Sequence, residues 1–438
     1  MHLDFTKIKD NWEYTFESTG AKNTVLPILF LASWLSVKFT KNIVLNNVPN
    51  LWDVDVCVKY LISLGVDISQ EKTTIIIGKK SKLRNEIDFE LYSGFRYSIL
   101  TFWLLLSFFD SIKIPDKTGW CSLWERKNDL HYAFFESMWF EIKESENGID
   151  VRKVSDIPKN IVFTPHVAST TVTENIILFC SLSFQNIKHI YIENFYGNRP
   201  DILEMLEVLK IFGYSFNFKN KILDEIYFTE KKVSDVVRYN ILSDFDQALF
   251  YIVLAIVIKS DIKILNYFNT YPYKEIEFIN TYFWDIIHII DSTLCIYGKQ
   301  TTINDKAIKI IADEYPHIMS DSQPILSILW LFSKSLNIVD NRFTNRYEYS
   351  KYYDLFSCKN KHASDFICIY WKNNTWVNTV SLDEEIFLYS IRESWLLLLL
   401  SIYFRASINI NNSRILERGY ENIFNNLVTI WADVEKNK

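Results

Sequence analysis

Glycine is scarce, with 10 in 438 residues. The chain has no G-x-G-x-x-G and no G-x-x-x-x-G-K-[ST], which argues against a glycine-rich dinucleotide or phosphate loop. The six cysteines, Cys57, Cys121, Cys180, Cys295, Cys358 and Cys368, form no C-x-x-C pair and no clustered ligand spacing, and the seven histidines are as scattered. A reduced, cytoplasmic setting without a metal centre is therefore expected. There is no excess of basic charge: the net charge is −6 with both signs mixed throughout. That speaks against a nucleic-acid partner, which needs a concentrated basic face. The start, MHLDFTKIKDNWEY, lacks the apolar stretch of a signal peptide. Apolar runs such as YSILTFWLLLSFF and ALFYIVLAIVI fall short of the roughly 20 residues that cross a bilayer. They read as buried helices of a soluble protein with no membrane partner.

Hydrophobic residues make up 49% and aromatics 16% of the chain, so a large core is available, and the length favours two domains. The apolar runs recur. They begin near Leu26, Ser98, Asn175, Gln247, Pro324 and Ser394, at intervals of 70 to 77 residues. A second series, with polar residues at helical spacing, begins near Leu51, Asn128, Arg199, Tyr273, Asn345 and Glu417, at intervals of 71 to 77. Two series with one period indicate an internal repeat. Between them lie β-branched segments of strand length, including KNIVLNNV, TTIIIG, SIKIP, IKHIYIEN, DEIYFTE, IKILNY, STLCIYG, DFICIYW and ASININNS. Each unit reads as strand, buried helix, strand, amphipathic helix and a pair of strands. Six units in two groups of three predict two similar α/β lobes. No Pro/Gly-rich linker separates them, and the polar stretch Thr229–Asn240 is the expected boundary.

The starts of the buried helices are polar. Acids and hydroxyls there are ordinarily caps, which suits Thr173, Asp244 and Asp321. Capping does not account for Lys22, Arg96 or Arg392, whose charge opposes the helix dipole. A bound anion does account for them, because helix starts favour anions. If equivalent ends of the two lobes face each other, these residues converge on one cleft.

Six motifs in order make the chain resemble the enolpyruvyl transferases, and within them the branch acting on UDP-N-acetylglucosamine. They are GAKNTVLP (Gly20–Pro27), the segment Ile43–Ile68 with its Val-Pro-x-x-x-Asp-Val lead, GWCSLWERKNDLH (Gly119–His131), SDSQ (Ser320–Gln323), FTNRY (Phe343–Tyr347) and ERGYENI (Glu417–Ile423). The resemblance spans almost the whole chain. It implies a two-lobed, inside-out α/β barrel of six βαβαββ repeats, three per lobe, with the active site in the cleft between the lobes. Residues 22–240 would form one lobe, and 1–21 with 241–438 the other.

The resemblance also implies a reaction that moves the enolpyruvyl group of phosphoenolpyruvate to a hydroxyl and releases phosphate, without metal or organic cofactor. Phosphoenolpyruvate carries a carboxylate and a phosphate, so its site needs fixed cations. Lys22, Arg126, Arg346 and Arg418 match those positions. Asp321 matches the general base and Cys121, in a lid loop, the acid that protonates the methylene carbon; Lys22 serves catalysis as well. Asn23, Arg96, Lys127, Asn128, Asp129, Leu130, Ser169 and Arg392 match the acceptor side. That side departs from the family pattern. Lys127-Asn128 replaces Pro-Val in the segment that cradles the uracil. Val167-Ala168-Ser169 replaces Ser-Val-Gly at the acceptor's phosphates, and Pro165 or His166 its preceding lysine. Ser390 replaces an aspartate. The implied partners are small molecules: phosphoenolpyruvate and UDP-N-acetylglucosamine or a related uridine nucleotide. Two other readings stand beside this one: a specialised-metabolism enzyme acting on an acceptor such as UMP, and a nucleotide-binding paralogue without turnover.

Overall fold

The computed structural model describes residues 1–115, 128–146, 148–183, 187–269, 271–302, 306–342, 346–356, 358–363, 366–370, 381–388 and 390–435. They form two compact α/β units, one of Met1–Thr19 with Ser243–Lys438 and one of Gly20–Leu242. The polar stretch Thr229–Asn240 ends in a strand, Val236–Asn240, which pairs in parallel with Asn42–Asn46 inside the second unit, and that unit ends at Leu242.

Both apolar series are helices. The buried ones are Lys22–Phe39, the 3₁₀ turn Arg96–Leu100 running into Thr101–Leu106, Thr170–Ser183, Phe245–Val257, Gln323–Ser327 running into the 3₁₀ turn Ile328–Phe332, and Ile391–Tyr403. The second series gives Trp52–Ser63, Asp129–Ser137, Pro200–Ile211, Lys274–Phe283, Ser350–Leu355 and Ile423–Thr429. In the buried set apolar residues cover every face. Leu396, Leu397, Leu398, Leu399 and Leu400 are all fully buried, each contributing roughly 2 kcal/mol relative to exposure. Each unit closes around its own continuous core.

The strands make six separate sheets among the described residues, three in each unit. Three sheets contain a parallel pair joined through a buried helix: Asn160–Phe163 with His189–Ile192, Ala307–Asp313 with Ser335–Asp340, and Ser381–Phe387 with Ser407–Asn411. Parallel neighbours require such a crossover. Glu13–Glu17 pairs in parallel with Asp261–Leu265, which ties the start of the chain into the unit formed by its second half. Antiparallel strands extend each sheet, as Thr74–Ile77 and Ile68–Glu71 do beside Asn42–Asn46.

Where the chain enters the second unit, Gly20 precedes the first buried helix. A Cβ there would lie 1.8 Å from the backbone oxygen of Asn47 and 3.1 Å from Ile241. Backbone cannot step aside as a side-chain tip can, so only glycine fits. Gly20→Ala is expected to destabilise the protein by about 1–3 kcal/mol, the range for overpacking. Urea denaturation checks this, and a midpoint equal to that of the unaltered protein would show that the strand end relaxes freely.

Candidate active site

Lys22 is the first residue of its helix. The capping position, Ala21, offers no side-chain bond, and the first turn contains no acid. The charge is met across the unit: Lys22 Nζ lies 3.1 Å from Asp53 Oδ2, both side chains mostly buried. A protein carboxylate therefore shares the role that the sequence assigned to a bound anion. Asp53 lies in the first turn of Trp52–Ser63, thirty-one positions from its partner.

The GAKNTVLP motif places Pro27 inside the same helix. Proline has no N–H, so the carbonyl four residues earlier, that of Asn23, loses its helical donor. The Tyr97 hydroxyl donates to it at 3.2 Å, and Tyr97 adjoins Arg96 at the start of the second buried helix. The proline thus links the Lys22-Asn23 pair to the segment bearing Arg96.

Around Arg96 the unit buries several polar groups. Arg199 pairs with Asp201 through two bonds of 3.0 Å. Glu174 is completely buried, and its carboxyl oxygens have no hydrogen-bond partner among the described residues. Burial, then the neighbouring Asp201, pushes its carboxyl well above the usual range, while Arg199 and Arg96 pull the other way. The fold therefore favours the neutral form of Glu174. Thr173 is not a cap: it lies within Thr170–Ser183, and its hydroxyl accepts from the Tyr196 N–H at 3.2 Å. Asn128 caps no N–H with its side chain and donates to the Tyr132 hydroxyl at 3.4 Å. Asp129 is exposed, while Leu130 is half-buried against the core. The Ser169 carbonyl accepts from the Thr173 N–H at 3.0 Å. Cys121, Arg126 and Lys127 lie outside the described residues.

In the other unit three of the expected residues meet. Asp321 Oδ1 is 3.1 Å from Arg346 Nη1, and Asp321 Oδ2 is 2.9 Å from Arg392 Nη2. Arg392 also approaches Asp246, at 3.7 Å. Asp321 is not a helix cap; Ser322 occupies that position, without a side-chain bond. Asp244 is one, accepting from the Gln247 N–H at 3.1 Å. Ser390 likewise accepts from the Glu393 N–H at 3.3 Å, so the residue standing where the family has aspartate caps Ile391–Tyr403. Arg418 follows the short helix Arg414–Glu417. Its turn packs tightly: a Cβ on Gly419 would come within 2.4 Å of Ile391 and 2.6 Å of Trp395.

What holds Asp321 was not visible in the sequence. Glu275 accepts from the Met319 N–H at 2.7 Å and from the Ser322 hydroxyl at 2.8 Å. Asp340 accepts from the Ser320 hydroxyl at 2.9 Å and the Gln323 amide at 2.7 Å. Four of the five residues Met319–Gln323 are thus clamped by two buried acids, and the fifth, Asp321, faces the arginines. Glu204 does related work in the other unit, accepting from the Leu242 N–H at 3.0 Å. Among the described residues, no group of three or more His, Cys, Asp or Glu is placed to hold a metal ion, and no helix is long and apolar enough to cross a membrane.

Comparison with known proteins identifies the family. The family model for EPSP synthase (3-phosphoshikimate 1-carboxyvinyltransferase) matches residues 11–347. The chain belongs to this family of enolpyruvyl transferases. Among curated relatives, the UDP-N-acetylglucosamine 1-carboxyvinyltransferase of the Wolbachia of Brugia malayi is 28% identical over 432 residues, covering 95% of this chain and 94% of the relative. The Campylobacter jejuni (strain 81116) protein of that name is 23% identical, covering 92% of each. Among solved structures, the enolpyruvyl transferase NikO from Streptomyces tendae superposes with a TM-score of 0.78 at 12% identity, over 99% of this chain and 97% of that one. An EPSP synthase from Acinetobacter baumannii gives 0.69 at 14%, over 99% and 100%. At these identities the structures show a shared fold. As an enolpyruvyl transferase the chain is an enzyme family member whose two units each carry several of the expected charged residues.

The clamp has a pH signature. Burial raises the carboxyls of Glu275 and Glu204 from an ordinary 4.5 to about 7, against the hydrogen bonds they accept. The fold therefore favours their protonated forms. That stabilisation is complete below the ordinary value and is lost as pH rises through about 7. Glu275→Gln, neutral at every pH, is expected to flatten the fall of Tm between mildly acidic and mildly alkaline buffer. Melting curves across that range test it; an unchanged slope would show that Glu275 is ionised throughout.

Proposed function

We propose that this enolpyruvyl transferase moves the enolpyruvyl group of phosphoenolpyruvate to a hydroxyl of a uridine nucleotide, UDP-N-acetylglucosamine or a smaller relative, with release of phosphate. We further propose that its sheets and helix pairs are the six βαβαββ repeats of a two-lobed, inside-out α/β barrel, residues 22–240 forming one lobe and 1–21 with 241–438 the other. The observation that carries the functional reading is Asp321, fixed by two buried acids and presented to Arg346 and Arg392.

The chemistry gives each group a task. The acceptor hydroxyl loses its proton to Asp321 as its oxygen bonds to C2 of phosphoenolpyruvate, while C3 gains a proton from Cys121. The adduct then loses that C3 proton, and the C2–O bond to phosphate breaks, restoring the double bond. Arg346, Arg418, Arg126 and Lys22 hold the donor's phosphate and carboxylate. Asp321 is held between Arg346 and Arg392, and its carboxylate is the group assigned the acceptor hydroxyl's proton. Asn23, Arg96, Asn128, Asp129, Leu130, Ser169, Lys127 and Arg392 are assigned to the acceptor.

Asp321→Asn is expected to retain the fold and donor binding and to lose roughly 10²–10⁴-fold in turnover, the usual worth of a positioned base. Single-turnover phosphate release gives the number, and a near-normal rate would remove Asp321 from this role.

The acceptor side carries the sequence departures. A lost lysine and an altered phosphate loop each forfeit charged hydrogen bonds of about 1.5–3 kcal/mol. A smaller uridine nucleotide such as UMP is therefore expected to outperform UDP-N-acetylglucosamine. Phosphate release and product mass spectrometry with UMP, UDP-N-acetylglucosamine and shikimate 3-phosphate decide between them. UDP-N-acetylglucosamine as the best acceptor overturns the change of specificity, shikimate 3-phosphate as the best overturns the nucleotide reading, and no product with any overturns the transferase reading.

A further inference from the structure

Two segments assigned above to the acceptor, Asn128–Leu130 and the residues around Ser169, lie about forty positions apart in the chain. One side chain joins them. His131, in the first turn of Asp129–Ser137, is 2% exposed and points away from solvent. Its Nδ1 is 2.8 Å from Asn175 Nδ2, and its Nε2 is 3.3 Å from Thr171 Oγ1. Thr171 and Asn175 are themselves buried, one helical turn apart on Thr170–Ser183. Thr171 Oγ1 in turn lies 3.5 Å from Ser169 Oγ.

The arrangement selects one form of the ring. The Asn175 amide N–H donates to Nδ1, so the ring proton sits on Nε2 and is donated to the Thr171 hydroxyl. That hydroxyl then has its own proton to direct at Ser169. A neutral imidazole supplies one acceptor and one donor, as both contacts require. A protonated ring would set an N–H against the Asn175 amide. Burial, reinforced by the nearby Arg96, lowers the His131 pKa to about 3, which keeps the ring neutral throughout the working range. Chains of this kind order the groups at their end.

We propose that His131 is a positioning residue for the acceptor: through Thr171 it fixes the Ser169 hydroxyl relative to Asp129 and Leu130, so that the two segments hold one nucleotide together. This rests on the acceptor reading proposed above. His131 touches neither substrate, and donor binding does not depend on it.

The test separates positioning from general stability. His131→Phe keeps the ring's bulk and removes both hydrogen bonds. It is expected to raise KM for the acceptor roughly 10- to 100-fold, the equivalent of one or two bonds to a charged group, with KM for phosphoenolpyruvate and kcat changed little. His131→Gln, whose amide reaches the Nε2 position, is expected to recover part of the loss, while His131→Asn, which mimics only Nδ1, is not. Thr171→Val removes the next link with almost no change of shape and keeps the proposal testable should the His131 variants fold poorly. It is expected to raise the acceptor KM alone, and no further in combination with His131→Phe. The probes are UMP and UDP-N-acetylglucosamine, with nucleotide binding measured by calorimetry alongside the kinetics. Equal loss for both substrates, or an unchanged acceptor KM in Thr171→Val and His131→Phe, overturns the proposal. If the unaltered protein binds neither nucleotide, the acceptor reading itself falls and takes this inference with it. If it binds one and the variants bind it as well, only the inference falls.

Discussion

A helix that is apolar on every face can meet a ligand only at its ends. Phe245–Val257 and Ile391–Tyr403 are buried along almost their entire lengths, so any polar chemistry they support must sit at a terminus. The N-terminal ends are the ones that present unpaired backbone N–H groups and a positive dipole. The remaining polar structure of each unit follows from what gathers there. Cations placed against the dipole need carboxylates, and neighbouring helices and turns supply them, as Asp53 does for Lys22 and as Asp246 and Asp321 do for Arg392. Where burial outweighs the neighbouring cations, the neutral form of a carboxyl is favoured instead. Glu174, Glu204 and Glu275 all have raised titrations for the same leading reason, the cost of burying an anion.

The two helix series were legible because burial is written into composition. A helix covered on every side must be apolar on every side, and six such runs at a near-constant interval are the signal of an internal repeat. The strands between them were readable for similar reasons: Asn42–Asn46, Asp261–Leu265 and Ser407–Asn411 fall inside segments dense in β-branched residues. Strands such as Val236–Asn240 and Glu13–Glu17 were hidden. Each mixes charged and apolar residues and is made a strand by a distant parallel partner.

The site was legible to a different degree. Residues inside a compact motif, such as Lys22-Asn23 or Ser320-Asp321-Ser322-Gln323, could be named from the chain alone. Their supports could not. Asp340 stands at the end of a strand and Glu275 in the first turn of an amphipathic helix, and either would pass for a solvated acid. Only folding brings them against Ser320 and Ser322. Reading Asp321 as a cap failed for a related reason: the adjacent Ser322 begins the helix, which leaves the aspartate side chain to the arginines. Thr173 went the same way, because the helix begins three residues before it and its hydroxyl serves the Tyr196 N–H.

The pairing of Asp321 with Arg346 and Arg392 has a consequence for the proposed chemistry. Opening a partly desolvated ion pair carries a cost when nothing replaces the lost partner, because a charge is then left unpaired away from water. Arg346 is mostly buried, so it has little water to turn to when it leaves the carboxylate. Phosphoenolpyruvate supplies another anion, with charged oxygens suited to a guanidinium fork. In the proposed reaction the arginine exchanges one anionic partner for another, and the Asp321 carboxylate is left to the acceptor hydroxyl. Under the proposed assignment the donor's arginine and the acceptor's base are neighbours, so the two substrates would meet at one group of side chains. The rigid loop is what makes this effective: with Met319, Ser320, Ser322 and Gln323 all tied down, Asp321 changes its chemical state without changing its place.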